Sequence, residues 1–121
     1  MPKILIAEDA EFLRVQAART LAVEGFTVLE ADNGVKAVEI FQAEKPDVVL
    51  LDISMPEKDG LVALKEILAI RPDAKVVMLC SPGQEPLVLQ AMRAGAKDYI
   101  VKPVEKERII GVIHKIMGIA L

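Results

Sequence analysis

The sequence predicts a doubly wound α/β domain around a five-stranded, mainly parallel sheet. Short aliphatic runs alternate with longer segments of helical period, five of each, along the whole chain. The run Val48-Val49-Leu50-Leu51 is apolar without interruption, as a strand covered on both faces must be. A length of 121 residues suits one core, so a single domain is expected over 1–121. Right-handed crossovers between parallel strands would place helices on both faces.

The elements follow in order. Ile4-Leu5-Ile6-Ala7 reads as a buried strand. A helix is expected from about Ala10 to Glu24, with Phe12, Leu13, Ala17, Leu21 and Ala22 inward and Gly25 as its stop. Thr27–Ala31 is a more polar strand, and the next helix starts near Asn33-Gly34, turns Val35, Val38 and Phe41 inward and ends before Pro46. Val48–Leu51 belongs near the centre of the sheet. Gly60–Arg71 is helical, with Leu61, Leu64, Ile67 and Leu68 as its stripe and Pro72-Asp73 as the exit turn. Val76–Leu79 is the fourth strand, and Gln84–Ala94 a helix that tolerates Pro86 in its first turn. Tyr99-Ile100-Val101 is the fifth strand and Glu105–Met117 the last helix.

Composition narrows the function. Apolar residues make up 53% and charged residues 27%, which gives a core and a solvated surface. Aromatic content is 3%, so aliphatic side chains must fill that core. A net charge of −3 lacks the basic stripe of a nucleic-acid binder, and no direct nucleic-acid contact is expected. Cys80 is the one cysteine and His114 the one histidine, which excludes an internal disulfide and an ordinary structural zinc site. The apolar start gives way to Glu8-Asp9 too early for a signal peptide, and no run approaches membrane-spanning length. A cytoplasmic protein is expected. No glycine string for a nucleotide cradle occurs.

Ligands of such sheets bind beyond the carboxyl ends of the strands, where strand order reverses. Strand one ends in Glu8-Asp9, strand three in Asp52, strand four in Cys80-Ser81 and strand five in Lys102. Carboxylates this close repel; at an effective dielectric of about 20, a pair about 4 Å apart costs roughly 4 kcal/mol. Either one of them is protonated or a cation sits among them. Hard oxygen ligands in small number suit Mg2+, which keeps several waters and bridges to phosphate. Lys102 supplies a point charge for a phosphoryl oxygen, and the central Asp52 is the natural nucleophile for an aspartyl phosphate. An isolated aspartate at a strand end is ordinarily a helix cap, and an isolated lysine an ordinary surface charge. Their joint placement points to a phosphate site.

These residues resemble the receiver domains of two-component response regulators, the CheY-like family. The resemblance runs from Lys3 to about Met117. Glu8-Asp9 is similar to the family's acidic pair, Asp52-Ile53-Ser54-Met55-Pro56-Glu57-Lys58-Asp59-Gly60 to its phosphoacceptor signature, and Gly95-Ala96-Lys97-Asp98-Tyr99-Ile100-Val101-Lys102-Pro103 to its fifth-strand signature. It implies the flavodoxin-like (βα)5 fold and a phosphoacceptor Asp52. It also implies Mg2+ held by Asp9, Asp52 and the main-chain carbonyl of Ser54, with Glu8 acting mostly through water. A cis peptide between Lys102 and Pro103 is implied, and so is Tyr99 as an aromatic that turns inward on switching. The phosphoryl donor would be a sensor histidine kinase or a histidine phosphotransfer protein.

One position departs from the pattern. The family carries Thr or Ser at the end of the fourth strand, where alignment on Gly83 and Lys102 puts Cys80. A thiol is a weaker donor than a hydroxyl, and Cys80 reads equally as a small buried hydrophobe. Ser81 is adjacent, but neighbouring strand residues face opposite ways. Both remain candidates for the switch contact. The resemblance implies a signalling domain rather than an enzyme, with a downstream protein target met by the last two helices and fifth strand, and a monomer or weak dimer. Two other readings stay open: a pseudo-receiver that binds without switching, and a phosphate sink without output. A hydrolase of the haloacid dehalogenase type is discounted, because it carries a second Asp where Ser54 stands.

Overall fold

The computed structural model describes residues 2–118; the first residue and the last three of the expected single domain lie outside that range. Five strands and five helices alternate: β1 (Lys3–Ala7), α1 (Glu11–Val23), β2 (Thr27–Ala31), α2 (Gly34–Glu44), β3 (Val48–Asp52), α3 (Gly60–Ile70), β4 (Val76–Cys80), α4 (Glu85–Ala94), β5 (Asp98–Val101) and α5 (Lys106–Met117). The strands form one sheet in the order β2-β1-β3-β4-β5, every pair parallel. The chain steps outward from β1 to β2, then returns to build β3 on the other side of β1. The switch point therefore lies between the carboxyl ends of β1 and β3.

Alternation along the strands sorts the core into two layers. Ile4, Ile6, Val48, Leu50, Val77, Leu79 and Ile100 pack under α1 and α5 with Leu21, Ile109 and Ile113. Leu5, Ala7, Val49, Leu51, Met78 and Cys80 face α2, α3 and α4 through Phe41, Leu64, Ile67 and Ala91. Val48–Leu51, in the centre, is fully buried. Helix starts use local chemistry: Asn33 Oδ1 accepts the Lys36 N–H at 2.8 Å and Asp59 Oδ1 the Val62 N–H at 3.0 Å. Pro86 lies in the first turn of α4, and Gly95 at φ 124° ends it.

The expected elements are all present, with ends shifted by a residue or so. The inward faces of two helices differ from expectation. Phe12 is 75% exposed and Ala22 is also exposed. Ala18 and Leu21 set the inner face of α1, and Phe12, two and a half turns before Leu21, emerges on the opposite side. In α2, Ala37 and Phe41 face inward and leave Val35 at the surface. An apolar pattern marks a helix but leaves its rotation loose when several apolar stripes compete.

Gly60 fixes the approach of α3 to the end of β3. Its N–H donates to the Ile53 carbonyl at 2.7 Å, and an added Cβ would stand 2.0 Å from the Asp52 carbonyl oxygen and 2.7 Å from Ile53 Cα. Backbone cannot swing aside as a side-chain tip does. Gly60→Ala is expected to cost about 2–3 kcal/mol, read as a lower urea midpoint with an unchanged slope.

Candidate functional site at the carboxyl edge of the sheet

The two buried charged side chains among the described residues are Glu8, 2% exposed, and Asp52, 4% exposed. Both stand at the switch point. Glu8 directly follows β1, and its N–H donates to the Ala31 carbonyl at 3.0 Å. Asp52 is the last residue of β3, paired in register with Leu79. Burying a carboxylate costs several kcal/mol unless it is paired and hydrogen-bonded, so each needs a named partner.

Lys102 is that partner for both. Its Nζ lies 2.6 Å from Glu8 Oε1 and 3.0 Å from Asp52 Oδ2. Its own N–H is held by the Cys80 carbonyl at 2.7 Å, and the peptide to Pro103 is cis, as the resemblance implied. Burial by itself would lower the Lys102 ammonium, but hydrogen bonds to Glu8 and Asp52, and their charges, leave it above the ordinary lysine value. The second Glu8 oxygen accepts the Ala10 N–H at 3.1 Å. Asp52 Oδ1 receives a longer bond, 3.4 Å, from the Ser54 N–H.

Asp9 is exposed and takes part in no ion pair among the described residues. Even so, Glu8, Asp9 and Asp52 each offer an oxygen within 4.8 Å of the others. Three hard oxygens at that spacing fit a small divalent cation. Asp9 is the freest donor; both oxygens of Glu8 are engaged, and those of Asp52 are held by Lys102 and by the longer bond from the Ser54 N–H.

The fourth-strand residues divide. Cys80 belongs to the layer facing α2–α4, and its Sγ donates to the Ile100 carbonyl at 3.6 Å. Burial pushes the thiol pKa up, the charges of Glu85 and Asp52 add to that, and Lys102 opposes it. It is a neutral, buried thiol at physiological pH. Ser81 is exposed, and its N–H is taken by Gln84 Oε1 at 2.7 Å. Tyr99, 39% exposed, borders an apolar hollow of about 270 Å³ between α4 and β5, together with Cys80, Ser81, Met92 and Val101.

Two participants escaped the sequence reading. Arg14 donates from Nη1 to the Glu8 carbonyl at 3.1 Å and from Nε to Glu30 at 3.0 Å, buttressing the acidic pair from α1. Gln84 joins the loops after β3 and β4. Neither residue lies in a motif, and an arginine or glutamine near a helix start carries no local signal.

Comparison with known proteins gives one family throughout. Residues 4–114 match the response regulator receiver domain. The chain is 45% identical over 117 residues to the chemotaxis protein CheY of Bacillus subtilis, covering 96% of this chain and 98% of that one. Identity to the CheY of Thermotoga maritima is 42%, over 94% of this chain and 96% of that one. Among solved structures, a response regulator receiver domain protein from Clostridium thermocellum superposes with a TM-score of 0.93 at 29% identity, covering 98% and 95% of the two chains. The receiver domain of NtrX from Brucella abortus gives 0.91 at 31% identity, over 97% and 99%.

Removing Lys102 strands two buried carboxylates. Lys102→Met is expected to lose about 2–4 kcal/mol at neutral pH in metal-free buffer, by urea denaturation, with some of the loss recovered on adding Glu8→Gln. In the unaltered protein the raised Lys102 pKa makes its contribution complete below the ordinary value of 10.5, and lost as pH climbs through the higher folded value. A thermal midpoint that falls above that pH checks the sign. Cys80 is expected to resist a thiol reagent such as DTNB until the chain unfolds.

Proposed function

The chain belongs to the response regulator receiver domain family of two-component signalling, and we propose that it works as a CheY-like switch by accepting a phosphoryl group on Asp52. The observation that carries this reading is the pairing of a buried Asp52 with Lys102 at the switch point. A buried carboxylate held at a strand end beside a lysine is placed to act as a nucleophile, and that supports the reading. In the transfer, an Asp52 oxygen forms the new P–O bond while the P–N bond to the donor's phosphohistidine breaks and the imidazole leaves with the bonding electrons. The donor is proposed to be a sensor histidine kinase or a histidine phosphotransfer protein in the cytoplasm.

Catalysis here is mostly positioning and charge neutralisation. Lys102, already at 3.0 Å, follows the developing charge on the phosphoryl oxygens. Asp9, Asp52 and the Ser54 carbonyl would hold Mg2+, with Glu8 acting through water, and the ion would supply neutralisation of the negative charge. Glu8 keeps Lys102 on station, since its bond to the ammonium is the shorter of the two.

Phosphorylation adds a charge of about −1.5 to −2 and acts through its differential affinity for two conformations. The apolar hollow beside Tyr99 offers room for the ring to turn inward, which supports the reading of Tyr99 as the reporter. The output is then altered binding of a protein target by α4, β5 and α5, with the chain a monomer or weak dimer. In this reading it is a signalling domain and turns over no separate substrate.

Incubation with acetyl phosphate and Mg2+ is expected to add one phosphoryl mass to the protein and none to Asp52→Asn. Beryllofluoride with Mg2+ should shift the amide resonances around Asp52 and Tyr99. An unmodified Asp52 and no binding of the mimic would sink the proposal. Modification without any shift at Tyr99 would turn the reading toward a phosphate sink.

A further inference from the structure

The loop between β4 and α4 holds a side chain that neither the acidic group nor the following helix explains. Gln84 stands at the N-cap of α4, yet its side chain caps nothing. Its Oε1 instead accepts the Ser81 backbone N–H at 2.7 Å, and its Nε2 donates to Ser54 Oγ at 3.1 Å. Gly83, at φ 94°, makes the turn that folds Gln84 back over the loop, and the Gln84 N–H closes that turn on the Ser81 carbonyl at 3.2 Å.

The two residues it joins occupy corresponding places. Ser54 lies two residues beyond Asp52, and Ser81 two beyond Leu79, the residue registered opposite Asp52. One carboxamide thus staples the β3–α3 loop to the β4–α4 loop just past the carboxylate. Asp52 Oδ1 itself accepts the Ser54 N–H at 3.4 Å, so a group attached to Asp52 would stand beside the same gap.

We propose that Gln84 is a positioning residue that latches the unmodified state, and that a phosphoryl group on Asp52 displaces its Oε1 from the Ser81 N–H. This rests on Asp52 being the phosphoacceptor. The exchange runs downhill because a charged phosphoryl oxygen is a stronger acceptor than a neutral amide carbonyl. Once Oε1 is displaced, the carboxamide loses the bond that orients it toward Ser54. Ser81 is then drawn to the phosphoryl group while the residues from Pro82 to Gln84 shift away from the β3–α3 loop. The β4–α4 loop also borders the hollow beside Tyr99 through Ser81 and Pro82, so release of the latch reaches the surface where a partner is read.

NMR of the full chain with beryllofluoride and Mg2+ tests it. In the free protein the Gln84 side-chain amide protons should be dispersed and slow to exchange; with the mimic bound they should collapse toward free-glutamine shifts while the Ser81 amide moves downfield. Gln84→Met, which keeps the bulk and removes both bonds, should bind the mimic roughly fivefold tighter, the worth of about one hydrogen bond. Mimic bound with Gln84 resonances unchanged, or equal or weaker binding by Gln84→Met, overturns the latch and leaves Asp52 as acceptor intact. Failure of the unaltered protein to bind the mimic overturns both.

Discussion

The ion triad of Lys102 with Glu8 and Asp52 is the constraint around which the rest of the structure is arranged. Two charged carboxylates buried to this degree repel each other and lose hydration, and the ammonium between them offsets both costs. Lys102 reaches them because β5 runs parallel to β4 and its next N–H is tied to the Cys80 carbonyl. The triad thus joins the carboxyl ends of β1, β3 and β5 across the width of the sheet. It also leaves Asp9 as the one acidic residue of the group without a lysine, facing solvent and free for a metal.

Holding Asp52 in place requires an unyielding platform. Val48 to Leu51 are fully buried, and burial of each aliphatic side chain contributes about 1.5–3 kcal/mol, enough to offset the cost of carrying a carboxylate at the strand's end. On the far side, Gly60 lets α3 press its backbone onto the Asp52 carbonyl. Gly34 does the same for α2 farther along that loop, where an added Cβ would stand 1.9 Å from the Lys58 carbonyl oxygen. The β3–α3 loop is therefore pinned from two helices, and movement is left to the loop after β4.

Much of this was legible in the residues. Glu8, Asp9, Asp52 and Lys102 each follow an aliphatic run, so parallel strands alone deliver them to one edge. Which atoms pair was not legible, because that depends on side-chain reach: nothing local says that Lys102 spans Glu8 and Asp52 and passes over Asp9. The rotation of α1 also escaped. Phe12 looks like core by type, but Ala18 and Leu21 claim the inner face, and a helix cannot present both. Gln84 was invisible for a similar reason, since its importance lies in two partners 3 and 30 positions away in sequence. The facing of Cys80 was not legible either, because it depends on strand parity: the thiol lies in the α2–α4 layer and directs its donor to Ile100.

That parity makes β4 a dividing wall. By alternation, on one side stand the anions and their lysine; on the other, an apolar chamber floored by Cys80 and flanked by Tyr99. A thiol in the wall insulates, for it brings neither charge nor a strong donor to either room. Among the described residues the two sides share no side chain across the wall, so each packs against its own helices. The two rooms meet at the end of the strand, where Ser81 borders the chamber and its N–H is held by the side chain that reaches Ser54.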